Sequence, residues 1–168
     1  MRNIVLVGFM GTGKTKVALA VAEKLKLLYI SADKLIEKEA GTSISEIFAK
    51  KGEAHFRKIE KKVIGDVSNI KNAVIDTGGG VVINPENVEN LKKNGILICL
   101  WASPEVILKR TEKYFNRPLL KVERPLERIK KLLEIRKPFY ERAGHHINTS
   151  GMSIEEVVNQ VERIVKNV

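Results

Sequence analysis

A glycine-rich octapeptide near the N-terminus, Gly8–Thr15, restricts the fold of this chain more than any other segment. Its sequence, GFMGTGKT, matches G-x-x-x-x-G-K-[ST], a pattern whose glycines let backbone N–H groups surround a phosphate. The preceding apolar run, Asn3–Val7, predicts a strand that is buried on both faces, and Thr15–Leu25 has the apolar spacing of a helix. This order of strand, loop and helix predicts a phosphate-binding loop at a helix N-terminus.

The octapeptide also predicts what is bound. Lys14 can reach the β- and γ-phosphates of a nucleoside triphosphate, and the hydroxyl of Thr15 can ligate Mg²⁺. A glycine-rich turn with a solvated lysine is the alternative, but the flanking strand and helix argue against it. The predicted nucleotide-binding residues here are Gly11, Thr12, Gly13, Lys14, Thr15 and Lys16, with Thr15 as the metal ligand.

Short apolar runs alternate with longer amphipathic stretches along the rest of the chain. Further strands are predicted at Leu27–Ile30, Ala73–Ile75, Ile96–Trp101 and His145–Asn148. Further helices are predicted to begin near Ser43, Asn84, Ser103, Leu126 and Ser153, with a break at Gly52. Because apolar strands that alternate with helices form a parallel sheet covered on both faces, we predict a three-layer α/β/α domain with a central five-stranded parallel sheet, spanning residues 1–168.

Composition narrows the possible partners. The 168 residues carry a net charge of +10, but the lysines are scattered over helical segments and aromatic residues make up only 5%. A surface that stacks nucleic-acid bases would interleave basic residues with aromatic ones, and this chain does not. We therefore expect no nucleic-acid partner. Apolar runs are too short to cross a membrane, and the single cysteine, Cys99, is expected to be buried and unreactive. We therefore expect a cytoplasmic protein without a membrane partner.

Residues after the second and third predicted strands are candidates for the phosphoryl acceptor site. Asp33 can orient a hydroxyl and accept its proton, although the first turn of a helix explains it equally well. Gly78–Gly80 allow close approach of the backbone to a ligand, or a tight turn. Arginine binds carboxylates and phosphoryl groups in planar geometry, and the candidates are Arg57, Arg117 and Arg136, each with an ordinary surface position as the alternative.

Motifs spread over nearly the whole chain follow the order and spacing of one kinase family. They are GFMGTGKT at 8–15, Asp33, FRKIE at 56–60, TGGG at 77–80, RPLL at 117–120, and Arg136 four residues before Tyr140. The set resembles shikimate kinases; the phosphate loop is common to many families, but the combination is far more specific. The resemblance implies a P-loop NTPase fold of the nucleoside monophosphate kinase-like group. It also implies transfer of phosphate from ATP to the 3-hydroxyl of shikimate.

The resemblance further assigns residues to the acceptor. Asp33 would hold the hydroxyls and help activate the attacking one, and Arg57 and Arg136 would bind the carboxylate. The glycines Gly78, Gly79 and Gly80 would border the substrate, with Gly79 meeting it through its backbone. Glu60 would orient Arg57, within a substrate-binding helical segment at about 33–62.

On the nucleotide side, the resemblance places Arg117 in a mobile lid at about 112–124, from which it would reach the ATP phosphates. Arg110 would lie near the adenine. The catalytic residues implied are Asp33, Lys14 and Arg117.

One position departs from the family pattern. Ser31 stands where the first carboxylate of a D-x-D motif supports the Mg²⁺ site, and either its hydroxyl or Asp76 on the neighbouring strand could take that part. Two other activities remain open from the residues, a gluconate-type small-molecule kinase and a nucleic-acid-stimulated ATPase. A monomer is expected.

Overall fold

A computed structural model describes residues 1–112 and 122–168. The strands are β1 (Asn3–Gly8), β2 (Leu28–Ser31), β3 (Ala73–Asp76), β4 (Gly95–Trp101) and β5 (His145–Asn148). The helices are α1 (Lys14–Leu25), α2 (Ala32–Ala40), α3 (Ile44–Val67), α4 (Pro85–Asn94), α5 (Pro104–Thr111), α6 (Pro125–Glu141) and α7 (Ile154–Lys166), with a short 3-10 turn at Val81–Ile83. Among the described residues, no helix is both long and apolar enough to span a bilayer.

The five strands form one parallel sheet in the order β2-β3-β1-β4-β5. The predicted five-stranded parallel sheet is therefore confirmed. The central strand, β1, is buried along its whole length, and its Leu6 pairs with Asp76 on one side and Ile98 on the other. Ser31 pairs with Asp76 in turn, so the carboxyl ends of β1, β2 and β3 meet at one edge of the sheet.

Helices cover both faces of the sheet. Alternate β1 residues point to opposite sides, so Ile4 and Leu6 pack in a core with α1 and α7. Val5 and Val7 pack in the second core, to which helices α2 to α6 contribute. The layering confirms the predicted α/β/α arrangement. Cys99 is fully buried in β4, and burial raises the pKa of its thiol to about 12, as expected of an unreactive cysteine.

The helix signals in the sequence are confirmed in most places. Gly52 has φ 78° and ψ 172° and breaks the helical geometry inside α3, as predicted. Ser153 and Glu156 form a complete capping box at α7. Ser43 and Glu46 have the spacing of a capping box at the start of α3, but only half of the box forms. Ser43 accepts from the N–H of Glu46, whereas the Glu46 carboxylate binds Thr42 and Lys50.

Candidate active site

Three glycines shape the loop between β1 and α1. A side chain at Gly8 would collide with the carbonyl of Leu100 in β4, and a Cβ on Gly11 would lie 2.8 Å from the methyl carbon of Thr111. Gly13 has open space around it but a φ of 98°, and as the N-cap of α1 it supplies no side-chain hydrogen bond. The positive end of the α1 dipole is therefore left to an external anion, as a phosphate-binding loop requires.

Lys14 places its charge inside this loop. Its side chain is buried, and Nζ donates hydrogen bonds to the carbonyls of Gly8 at 2.8 Å and Phe9 at 3.0 Å. Thr12 donates its hydroxyl to the Phe9 carbonyl at 2.7 Å, which braces the loop from within. An ammonium group beside a helix N-terminus gives this corner a strongly positive field.

The Thr15 hydroxyl faces a carboxylate. Its Oγ1 donates to Oδ2 of Asp76 at 2.6 Å, because the pairing of β1 with β3 brings the end of β3 beside the start of α1. Ser31 acts as the N-cap of α2, its Oγ accepting from the N–H of Lys34 at 3.3 Å. Of the two alternatives left open by the sequence, Asp76 is therefore the one in contact with Thr15. A hydroxyl and a carboxylate oxygen side by side are the donor set that suits Mg²⁺.

Asp33 lies in the first turn of α2 and also borders the glycine triplet. A Cβ built on Gly78 would lie 3.1 Å from Oδ1 of Asp33 and 3.3 Å from Oε1 of Glu60. Two acidic side chains therefore border the same glycine.

Arg57 is held over the third glycine by two acids. It pairs with Glu60 at 2.8 Å and with Glu53 at 3.0 Å, and its Cζ lies 5.0 Å from the ring centroid of Phe56. A Cβ on Gly80 would lie 2.7 Å from Nη1 of Arg57, so a larger residue here would displace this guanidinium.

Glu60 is a buried carboxyl, only 1% exposed. Burial raises its pKa, and the nearby Asp33 raises it further, while Arg57 and Arg136 oppose both. Among the described residues, its Oε1 has no hydrogen-bond partner. That oxygen, beside Gly78, is a buried acceptor whose lone pairs are not satisfied by the residues that the structure describes.

Arg136 and Tyr140 approach the triplet from α6. Arg136 is buried, with its Cζ 5.6 Å from the ring centroid of Phe9. One turn later, Tyr140 donates its hydroxyl to the carbonyl of Gly79. Burial raises the pKa of Tyr140 to about 12, although the adjacent Arg136 lowers it, so the phenol remains a donor at neutral pH. Sequence reasoning gave Tyr140 no role of its own.

Arg110 is attached to the phosphate loop through a residue that the sequence did not reveal. Its guanidinium donates to Oγ1 and to the carbonyl of Thr149, both at 3.0 Å, and more weakly to the carbonyl of Gly11 at 3.3 Å. Thr149 in turn donates to the carbonyl of Thr12 at 2.9 Å. A single threonine after a short strand carries no sequence pattern that could have singled it out.

The structure thus gathers most of the predicted site residues at one edge of the sheet. They are Lys14, Thr15, Asp33, Arg57, Gly78, Gly79, Gly80, Arg110 and Arg136. Lys16 is exposed. Arg117 and most of the segment 112–124 lie outside the described residues.

A phosphate loop facing a carboxylate and two arginines across a glycine triplet defines a phosphate-loop kinase of small molecules.

Three comparisons with known proteins identify the family. A family model described as "Shikimate kinase" matches residues 10–166. Relatives described as shikimate kinases include one from Caldanaerobacter subterraneus subsp. tengcongensis, 55% identical over 97% of this chain and 95% of its own. Another, from Thermodesulfovibrio yellowstonii, is 52% identical over 99% of this chain and 94% of its own.

Solved structures agree with the sequence relatives. The shikimate kinase of Acinetobacter baumannii in complex with shikimate matches with a TM-score of 0.95 and 37% identity, over 99% of this chain and 94% of that one. The shikimate kinase of Aquifex aeolicus matches with a TM-score of 0.84 and 36% identity, over 98% of this chain and 96% of that one. The chain belongs to the shikimate kinase family. The resemblance drawn from the motifs is confirmed, and kinase activity with ATP as the donor follows from membership.

Proposed function

We propose that this chain transfers the γ-phosphoryl group of ATP to the 3-hydroxyl of shikimate, giving shikimate 3-phosphate and ADP. One observation carries the proposal: the glycine triplet touches both halves of the site. A Cβ on Gly79 would lie 3.2 Å from the backbone nitrogen of Met10 in the phosphate loop. The neighbouring glycines lie against Asp33 and Arg57. The groups that would bind ATP and those that would bind shikimate therefore border the same three glycines.

The donor side holds the triphosphate. Lys14 and the N–H groups at the start of α1 would bind the β- and γ-phosphate oxygens in place of the loop carbonyls that Lys14 now contacts. Thr15, supported by Asp76, would hold Mg²⁺. When bound, this ion neutralises charge on the β- and γ-phosphate oxygens.

The acceptor side binds a carboxylate and hydroxyls. Arg57 and Arg136, both largely shielded from water, would bind the carboxylate of shikimate in planar geometry. Asp33 would orient the 3-hydroxyl and accept its proton as the hydroxyl oxygen bonds to the γ-phosphorus. The bond from that phosphorus to the β–γ bridging oxygen then breaks, and ADP leaves with the bridging oxygen.

A coupled assay tests the activity against the other candidates. ADP release is measured with shikimate, with gluconate, with nucleoside monophosphates and with DNA as separate additions. Only shikimate is expected to give turnover. Release with gluconate or nucleoside monophosphates, or stimulation by DNA, in the absence of turnover with shikimate would contradict the proposal.

A pair of variants locates the acceptor chemistry. Asp33→Asn is expected to lower kcat by about 10²-fold or more, since a positioned base contributes 10²–10⁴-fold. Lys34→Ala, the next residue and exposed, is the matched control and is expected to keep the activity of the unsubstituted chain. Equal loss in both variants would point to damage to α2 rather than to a catalytic carboxylate.

We further propose that the enzyme acts as a monomer in the cytoplasm, without a nucleic-acid partner. The scattered lysines argue against a nucleic-acid partner, and the single buried free cysteine fits the reducing cytoplasm. Light scattering after gel filtration should give a mass near 18.9 kDa, and a stable dimer would contradict the monomer.

A further inference from the structure

Tyr29, on the edge strand β2, contacts the predicted metal corner. Its hydroxyl donates to Oδ2 of Asp76 at 3.2 Å, and the same oxygen accepts the hydroxyl of Thr15 at 2.6 Å. Asp76 itself is 7% exposed. One carboxylate oxygen is therefore held from two directions, by a side chain of β2 and by a side chain of α1.

Ser31 extends this set of hydroxyl groups. It lies two residues after Tyr29, on the same face of β2, and its Oγ accepts the N–H of Lys34 at the start of α2. The hydroxyls of Tyr29 and Thr15 are the two that donate to Asp76.

The Tyr29 phenol is neutral at neutral pH, as the ordinary tyrosine pKa of about 10 requires. Since a neutral phenol has one hydrogen to donate, and Asp76 receives it, the direction of this hydrogen bond is fixed at neutral pH.

The orientation of Asp76 decides how Thr15 presents its oxygen. While Thr15 donates its hydrogen to Asp76, its lone pairs point elsewhere and are free to coordinate a cation. A carboxylate held by Thr15 alone can rotate, and the Thr15 hydrogen would follow it. A second donor on Oδ2 removes that freedom, as groups behind metal ligands commonly do.

We propose that Tyr29 is a positioning residue for the Mg²⁺ site, acting through Asp76 on the Thr15 ligand. The proposal rests on the proposed function only in taking Thr15 as the Mg²⁺ ligand; it does not depend on the acceptor. Since Tyr29 would act on the metal through Asp76, its effect is expected to be confined to metal dependence.

The test is a binding measurement without turnover. Calorimetric titration of ADP at a series of Mg²⁺ concentrations, with no shikimate present, gives the Mg²⁺ concentration that produces half of the metal-dependent gain in ADP affinity. In Tyr29→Phe this concentration is expected to rise about 10-fold, the lower end of the effect of groups behind metal ligands. ADP affinity in EDTA and shikimate affinity are expected to stay within about 2-fold, because phenylalanine keeps the ring.

Two comparisons separate positioning from a structural effect. Leu28→Ala, an exposed neighbour on the same strand, is expected to leave the Mg²⁺ dependence unchanged. In an Asp76→Asn background, Tyr29→Phe is expected to add nothing, since the two residues act in series. An unshifted Mg²⁺ dependence in Tyr29→Phe, an equal loss of ADP affinity in EDTA, or a further full effect in Asp76→Asn would overturn the proposal.

Failure of the proposed phosphorylation of shikimate and failure of the positioning role of Tyr29 give different results. If the chain did not phosphorylate shikimate but Tyr29→Phe shifted the Mg²⁺ dependence of ADP binding, the positioning role would stand while the acceptor assignment fell. If the unsubstituted chain bound ADP with no dependence on Mg²⁺, the positioning role would be overturned whatever the acceptor.

Discussion

The two halves of the site are built in different ways. The proposed donor side is one contiguous segment, Gly8–Thr15, in which backbone groups and a single lysine would bind the nucleotide. The proposed acceptor side is assembled from side chains of α2, α3 and α6 that lie near Gly78–Gly80. A backbone cradle depends mainly on local φ and ψ, whereas a converging set depends on the packing of whole helices. Substitutions should therefore separate the two halves by which substrate they affect.

The largest effect is expected from Lys14→Ala. Removing the ammonium group from the phosphate loop should lower kcat/KM for ATP by on the order of 10³-fold, because in the proposed function this group would stabilise charge on the transferring phosphoryl group. Shikimate affinity, measured by calorimetry, should change less than about 2-fold. Lys71→Ala, in an exposed loop, is the control. An equal loss of shikimate affinity in Lys14→Ala would show that the two halves are not separable.

Gly80→Ala should do the reverse. Its Cβ would lie 2.7 Å from Nη1 of Arg57 and must displace the guanidinium, so KM for shikimate should rise by about 10- to 100-fold, as loss of a charged hydrogen bond does. KM for ATP should stay nearly constant. Gly65→Ala in α3, where a Cβ meets nothing within 4 Å, is the matched control and should be active. A KM for shikimate that does not change would mean that Arg57 does not bind the substrate from this position.

Glu60→Gln should have a smaller effect on the same substrate. Arg57 loses its buried ionic partner, so KM for shikimate should rise by about 10-fold, while Glu53→Gln, which removes the exposed partner, should have little effect. Steady-state kinetics of both variants check this. Equal effects of the two variants would contradict a special role for the buried pair.

The same variant has a pH signature. Because the pKa of Glu60 is higher in the folded chain than its ordinary value of 4.5, this group favours folding most below pH 4.5, and that contribution is lost as pH rises through the raised pKa. Glutamine does not titrate. Urea unfolding should therefore show the stability of Glu60→Gln, relative to the unsubstituted chain, improving as pH rises from 4 to 7. A difference independent of pH would mean that the pKa of Glu60 is not raised.

The smallest effect is expected from Tyr140→Phe. It removes one hydrogen bond to the carbonyl of Gly79 and keeps the packed ring, so kcat/KM for shikimate should fall by about 3- to 10-fold, the equivalent of about 1 kcal/mol. Kinetics at varied shikimate and varied ATP measure the split. An equal fall in kcat/KM for both substrates would mean that Tyr140 supports both halves of the site rather than the acceptor side alone.

The contrast between the halves also explains what the sequence could predict. Local signals were sufficient for the phosphate loop, the five strands and the break at Gly52. The prediction that Arg57 and Arg136 belong to one site came from the family resemblance and not from periodicity, because no spacing rule relates α3 to α6. Their roles toward shikimate remain predictions.

Groups brought together by strand register were the least predictable. Tyr29 reaches Asp76 only because β2 pairs with β3, and Thr149 reaches the loop only because β5 lies beside β4. The half-formed capping box at Ser43 shows the same limit at short range, since Glu46 had competing partners that the motif does not include.

In the proposed reaction, shikimate lies between the glycine triplet and the two arginines, with its reacting hydroxyl toward the phosphate loop. A crystal structure with ADP and shikimate would test this arrangement. The shikimate carboxylate is expected within about 3 Å of the guanidinium nitrogens of Arg57 and Arg136, with the 3-hydroxyl hydrogen-bonded to Asp33. A carboxylate directed to solvent or to Lys14, with both guanidinium groups facing away from it, would overturn the assignment of the acceptor site.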